Sequence, residues 1–151
     1  MKTQFEITLF NRKCILAIAN SLSQEQLNTI PKNYNNNIAW NIGHTLVTQQ
    51  LLVYKLSGLP CLISDETIAK YAKGSSPVTT MTSTEMLLLL DELMPLADKM
   101  EADYKTGVFK TYNEYTTSLG FELTDVDKAI QFSNYHEGLH LGIMMAIKKL
   151  V

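Results

Sequence analysis

Three histidines are the residues best suited to chemistry in this 151-residue sequence, and they are all the histidines it has. His136 and His140 stand four residues apart, so on a helix both rings leave the same face, one turn apart. They share a stripe with Val126, Ile130, Ser133, Ile143 and Ile147, whose three- and four-residue steps mark an inward helical face. His44 lies far away in the sequence, on a comparable stripe with Trp40, Val47, Leu51 and Tyr54. All three histidines are therefore expected to be buried.

Burying an imidazole without partners costs about 1–3 kcal/mol for each unsatisfied group, so three in one small core ask for a common explanation. One divalent metal ion held by His44, His136 and His140 supplies it. Neutral imidazole suits zinc, nickel, copper and iron, and three protein ligands leave positions for water or substrate, as in catalytic rather than closed structural sites. Histidine ligation also predicts that metal affinity falls as pH drops toward and below about 6. At the level of sequence the alternative stays open that each ring is satisfied by its own hydrogen bonds, because periodicity does not show that the two helices face each other.

The neighbouring residues narrow the chemistry. His136-Glu137-Gly138-Leu139-His140 fits the His-Glu-x-x-His pattern of zinc proteases, in which the glutamate is the general base. That match is weak, since Leu141 to Val151 contain no His, Asp or Glu to serve as a third ligand and no sheet is evident to hold a peptide. Glu137-x-x-His140 is half of a carboxylate-bridged di-iron signature. Asn41 stands three residues before His44, where the second half needs a glutamate, so a ferritin-like site is disfavoured. Glu137 is a candidate for a supporting or proton-transferring role beside the metal, against a solvated or salt-bridged one. Asn41 is a candidate to orient an imidazole, against a helix cap or surface group. Gly43, Gly138 and Gly142 each cost about 1 kcal/mol relative to alanine inside a helix; they point equally to close approach or ligand room at the site and to ordinary helix packing.

Four long amphipathic helices must position these residues. The first runs from about Thr3 to Asn20, with Phe5, Leu9, Leu16 and Ala19 on one side. Ser23-Gln24-Glu25-Gln26 is a capping box for a short turn that Pro31 stops. The second long helix is capped within Asn35-Asn36-Asn37 and runs to Ser57, ahead of Gly58 and Pro60. A short helix at Asp65 to Lys73 ends at Gly74. Thr82-Ser83-Thr84-Glu85 is a second capping box and opens the third long helix, with Met86, Leu89, Leu93, Ala97, Met100 and Tyr104 as its apolar stripe. Pro95 removes one backbone donor there and should kink it near Asp91. Gly107 to Leu123 reads as an ordered loop, because its β-branched and tyrosine content finds no partner strand elsewhere. Thr124 caps the last helix, with Asp125 and Asp127 in its first turn and Lys148-Lys149 at its end.

This pattern makes the protein all-α, a four-helix bundle with long connections, in a single domain over residues 1–151. The piece from Leu59 to Thr82, at up to about 3.3 Å per residue, can run the length of a roughly 30 Å helix, so an up-down-down-up order is allowed. Connections this long commonly form the lid or rim of a site.

Composition removes other classes. Thirteen Lys+Arg against fifteen Asp+Glu, a net charge of −2, give no field for a phosphate backbone, so no nucleic-acid partner is expected. The hydrophobic share of 46% is too high for a disordered chain. No run approaches the roughly 20 apolar residues that cross a bilayer, no signal peptide is evident, and Cys14 and Cys61 lack Cys-x-x-Cys spacing, so a soluble cytoplasmic protein with reduced thiols and no membrane partner is expected.

Asn36-Asn37-Ile38-Ala39-Trp40-Asn41-Ile42-Gly43-His44, followed by Gln49-Gln50-Leu51 and Leu56-Ser57-Gly58-Leu59-Pro60, resembles the second-helix region of the DinB-like (DinB/YfiT) superfamily. His136-Glu137-Gly138-Leu139-His140-Leu141-Gly142 is similar to its last-helix motif, and Tyr71-Ala72-Lys73-Gly74-Ser75-Ser76-Pro77 and Leu119-Gly120-Phe121-Glu122-Leu123 to its connecting segments. The resemblance covers nearly the whole chain. It implies an up-down-down-up bundle with one divalent metal, zinc or nickel, on His44, His136 and His140, and no ligand position is substituted. Characterised relatives include thiol transferases and isomerases that use bacillithiol, mycothiol or glutathione. The resemblance thus implies a small-molecule substrate, a low-molecular-weight thiol cosubstrate and a thiol S-transferase reaction on small electrophiles, with a homodimer as the common assembly. A metal-dependent hydrolase and a non-enzymatic, stress-related metal-binding domain are the alternatives.

Overall fold

Helices form where apolar periodicity and capping residues coincide. The computed structural model describes residues 1–151 as six α-helices and one small hairpin: α1 (Lys2–Asn20), α2 (Gln24–Asn28), α3 (Ile38–Gln49), α4 (Asp65–Tyr71), α5 (Ser83–Thr106), β1 (Tyr115–Thr116), β2 (Glu122–Leu123) and α6 (Val126–Ile147). Ser23 with Gln26 and Thr82 with Glu85 make the two expected capping boxes, and Asn37 caps α3 by accepting from the Trp40 amide. α5 runs through Pro95 as one helix.

Three local expectations are corrected. Asp125, not Thr124, caps α6, accepting from the Lys128 amide at 2.8 Å; the Thr124 hydroxyl donates to the Asp125 carboxylate instead, and the carboxylate is the better match to the helix dipole. α3 does not stay α-helical to Ser57 but passes into a π-helical turn at Gln50–Lys55, where the Leu56 amide reaches the Leu51 carbonyl, five residues back. The Gly107–Leu123 connection supplies its own strand partner: Tyr115 pairs with Leu123 and Thr116 with Glu122, antiparallel, across a turn with Gly120 at φ 83°.

Contacts along the long helices fix their directions. Gln4 and Thr8 meet Asn134, Arg12 meets Glu137 and Ser21 meets Lys148, so α1 and α6 run parallel. Phe5 packs on Tyr104, so α5 runs against α1. Gln49 meets Met100 and Tyr54 meets Asp103, so α3 and its π-helical extension run with α5. The order is up-down-down-up, as the family resemblance implies.

The apolar interior divides into a large cluster built around Ile15, Ile38, Ile42, Leu46, Leu93 and Ile147 and a smaller one with Phe5, Val53, Tyr54, Met100, Ala129 and Ile130. On α1 the buried face is Phe5, Thr8, Asn11, Arg12, Ile15, Ile18 and Ala19, whereas the expected Leu9 and Leu16 are half-buried. Polar side chains take the inward positions because they meet partners on α6. That helix turns Asn134, Glu137 and Met144 inward and leaves Ile143 exposed. His44 is buried, but His136 and His140 are only half-buried, a correction to the expected burial of all three. No helix is long and apolar enough to cross a membrane.

Candidate metal centre

The three histidines come together. α3 contributes His44 and the antiparallel α6 contributes His136 and His140, and one ring nitrogen from each lies within 4.8 Å of the others. Ring centroids are 5.1 Å apart for His44 and His136, 4.7 Å for His44 and His140, and 4.5 Å for His136 and His140.

Hydrogen bonds set the tautomers. His44 Nδ1 lies 2.7 Å from the backbone carbonyl of Tyr71; a carbonyl only accepts, so Nδ1 carries the proton and Nε2 keeps its lone pair. Asn41 does the same for His140. Its Nδ2 donates to Asn36 Oδ1 and to the Asn37 carbonyl, which turns Oδ1 toward His140 Nδ1 at 2.7 Å and leaves His140 Nε2 as a free donor to a metal. Asn41 thus has the imidazole-orienting role considered from the sequence. Such outer hydrogen bonds are what fix the ring orientation of metal-binding histidines.

His136 Nδ1 is buried and has no hydrogen-bond partner in the protein. That orphaned nitrogen, beside two rings whose Nε2 is left unprotonated, the His44 one 3.4 Å from the Thr48 hydroxyl, fits a metal ion and is not explained by three separately satisfied imidazoles. Burial lowers the pKa of His44, and burial together with repulsion from neighbouring histidines takes His136 down to about 3 and His140 to about 4. The rings are neutral and ready to bind a cation at neutral pH. Proton competition is accordingly moved to more acid pH than the unperturbed value near 6 suggested.

Gly43 has a defined part in this arrangement. A Cβ there would lie 2.5 Å from the Tyr71 ring, so glycine lets the end of α4 rest on α3 and brings the Tyr71 carbonyl to His44. Gly138 and Gly142 have open space where a Cβ would stand, and the close approach considered for them is absent. Trp40 stacks on His44 with centroids 4.5 Å apart and an 11° interplanar angle. Its Nε1 donates to Ser75, tying down the connection that carries Lys73.

Glu137 is not solvated but turned toward α1. It is 1% exposed and ion-paired with Arg12, which is equally buried. Burial pushes the carboxyl pKa up, and the guanidinium opposes that shift.

His44 and His136 open onto a cavity of about 310 Å³. The π-helical turn contributes Leu51, Leu52 and Lys55; the α4–α5 connection contributes Lys73; the hairpin region contributes Tyr115, Thr117, Ser118 and Leu119; and α6 adds Phe132, Tyr135 and Leu139. The long connections therefore form the rim, as their length suggested. Sequence reasoning missed Lys55, Lys73 and the hairpin side chains as site residues, although segments around Lys73 and Leu119 were among those carrying the resemblance. It also missed Tyr71, whose contribution is a backbone carbonyl that any residue type supplies.

The arrangement offers a neutral nitrogen donor set beside a mostly apolar pocket, which suits a Lewis-acidic cation with coordination positions open to a small molecule. The family model described as DinB superfamily matches residues 8–144. No curated protein matches the chain.

Proposed function

The chain belongs to the DinB superfamily, and from that premise we propose that it is a metal-dependent enzyme in which His44, His136 and His140 hold one divalent ion, zinc or nickel, and that it transfers a small thiol onto small electrophiles. The observation that carries this reading is the convergence of three neutral imidazoles, two with Nε2 left unprotonated by the hydrogen bonds of Nδ1 to Tyr71 and Asn41, beside a mostly apolar cavity. When bound, the cation supplies Lewis acidity that favours a thiolate over a thiol at neutral pH. The chain's own residues hold and shield the reactants. Tyr71 and Asn41 keep His44 and His140 in register, while Leu51, Leu52, Phe132 and Leu139 give the cavity an apolar wall. No cysteine lines the cavity, so the nucleophilic sulfur enters with a cosubstrate. Glu137, spent on Arg12, takes no part in proton transfer.

The test is turnover of an electrophile such as monobromobimane by metal-loaded protein, with and without bacillithiol or glutathione. Thiol-dependent consumption that His44→Ala abolishes, and a thiol-induced change in the spectrum of cobalt-substituted protein, are expected. Neither effect appearing would overturn the reading. Activity on ester substrates without thiol would assign a hydrolase instead. A metal whose loss collapses the melting temperature, with no turnover of any kind, would assign a structural role.

A further inference from the structure

Lys55 and Lys73 reach the cavity from different elements, one at the end of the π-helical turn and one from the α4–α5 connection. No Asp or Glu lines that cavity, in a chain that carries more acids than bases. Neither lysine takes part in any of the molecule's ion pairs, which join Lys2 to Glu6, Arg12 to Glu137, Lys70 to Glu85, Lys99 to Asp103 and Lys105 to Glu101. The buried acid nearest in sequence to the histidines, Glu137, is paired on the other side of α6. A divalent cation on three neutral imidazoles leaves both its charges uncompensated, and the two lysines add to them, so the cavity lacks negative charge.

We propose that this cavity selects a small organic anion with an apolar body, its anionic group held by Lys55 and Lys73 and its body lying on Leu51, Leu56, Phe132 and Leu119. The volume of about 310 Å³ stands at the lower end of the roughly 300–1,000 Å³ typical of small-molecule sites, which suits a compact ligand and excludes a folded partner. The apolar wall supplies affinity without charge preference, and the lysines supply the sign. The inference rests on the proposed metal site for the placement of the reacting end, whereas the lysines supply a charge preference that persists when the metal is removed.

The experiment is a protein-observed NMR titration of the full chain with three ligands of one shape: phenylbutyrate, neutral phenylbutyramide and cationic phenylbutylamine. It is run on wild type, Lys55→Gln, Lys73→Gln and the double variant, each metal-loaded and chelator-treated. Phenylbutyrate is expected to bind about tenfold more tightly than the amide, the advantage shrinking in each single variant, vanishing in the chelator-treated double variant and falling with added salt. Amide affinity should stay constant throughout, which also reports an intact fold. Equal affinities, a preference for the amine, or no shift at the cavity with any ligand would overturn the inference. An anion preference that ignores the lysines and appears only with metal would overturn it too, while supporting the metal centre. A lysine-dependent preference in protein that takes up no metal would do the reverse.

Discussion

His136 and Glu137 are consecutive residues of α6, yet one faces His44 beside an open cavity and the other is sealed against Arg12 of α1. Both sides of the helix place ionisable groups out of water, and each meets the cost differently. On the α1 side the carboxyl and the guanidinium are paired with each other. On the α3 side the imidazoles are neutral, with pKa values near 3 and 4 for His136 and His140. A buried ion pair costs more to break than to replace by apolar groups, and its best-attested use is to fix register. Neutral imidazoles keep lone pairs that can bind. The α1 side therefore sets how α6 is rolled, and the α3 side uses the positions so fixed.

The contrast predicts its largest effect on the sealed side. Arg12→Met leaves Glu137 buried and unpaired, and should cost about 3–5 kcal/mol in urea unfolding, whereas Arg12→Met combined with Glu137→Leu should recover most of that. A loss under about 1 kcal/mol for the single variant would mean that the pair is not holding the helix. Next in size is Gly43→Ala, whose added methyl meets the Tyr71 ring. Overpacking of this kind costs about 1–3 kcal/mol, and displacement of the Tyr71 carbonyl should weaken metal binding as well, read by titrating nickel against the fluorescence of Trp40, the only tryptophan.

On the open side, Asn41→Ala removes the acceptor that orients His140 and should weaken metal affinity by roughly 10–100-fold. A variant of Arg12 and Glu137 that refolds well should bind metal as wild type does; if it does not, the two sides are coupled more tightly than their geometry indicates. The same side also carries a pH dependence. The unfolded chain's histidines titrate near 6.5, but folded His136 and His140 stay neutral down to about 3 and about 4. Between those values the unfolded state binds more protons, so the metal-free protein should lose stability as pH falls from about 6.5. A urea midpoint that is unchanged between pH 7.5 and pH 5 would contradict this.

The open side was far more legible in the sequence than the sealed one. His44, His136 and His140 stand on recognisable stripes, and the stripe of α5, from Met86 to Met100, is buried as its spacing predicts. Sequence reasoning assigns Arg12 no role and offers Glu137 a salt bridge only as one alternative, because a charged residue in an amphipathic pattern signals solvent unless its partner is known, and that partner lies 125 residues away. The same blindness hid Thr8 and Asn134. The π-helical turn at Gln50–Lys55 depends on backbone hydrogen bonds, which the apolar run of Leu51, Leu52 and Val53 does not reveal. The small hairpin was missed because its two strands are two residues each and lie within one connection, too short for alternation to show.

The central claim is that His44, His136 and His140 together hold one divalent ion. Elemental analysis of the chain purified without an affinity tag tests it most directly, with His44→Ala and His140→Ala prepared alongside. One zinc or nickel ion per chain in the wild type, lost from both folded variants, is the predicted result. A metal-free wild type that also takes up neither ion on titration, or full metal occupancy in the two variants, would contradict it.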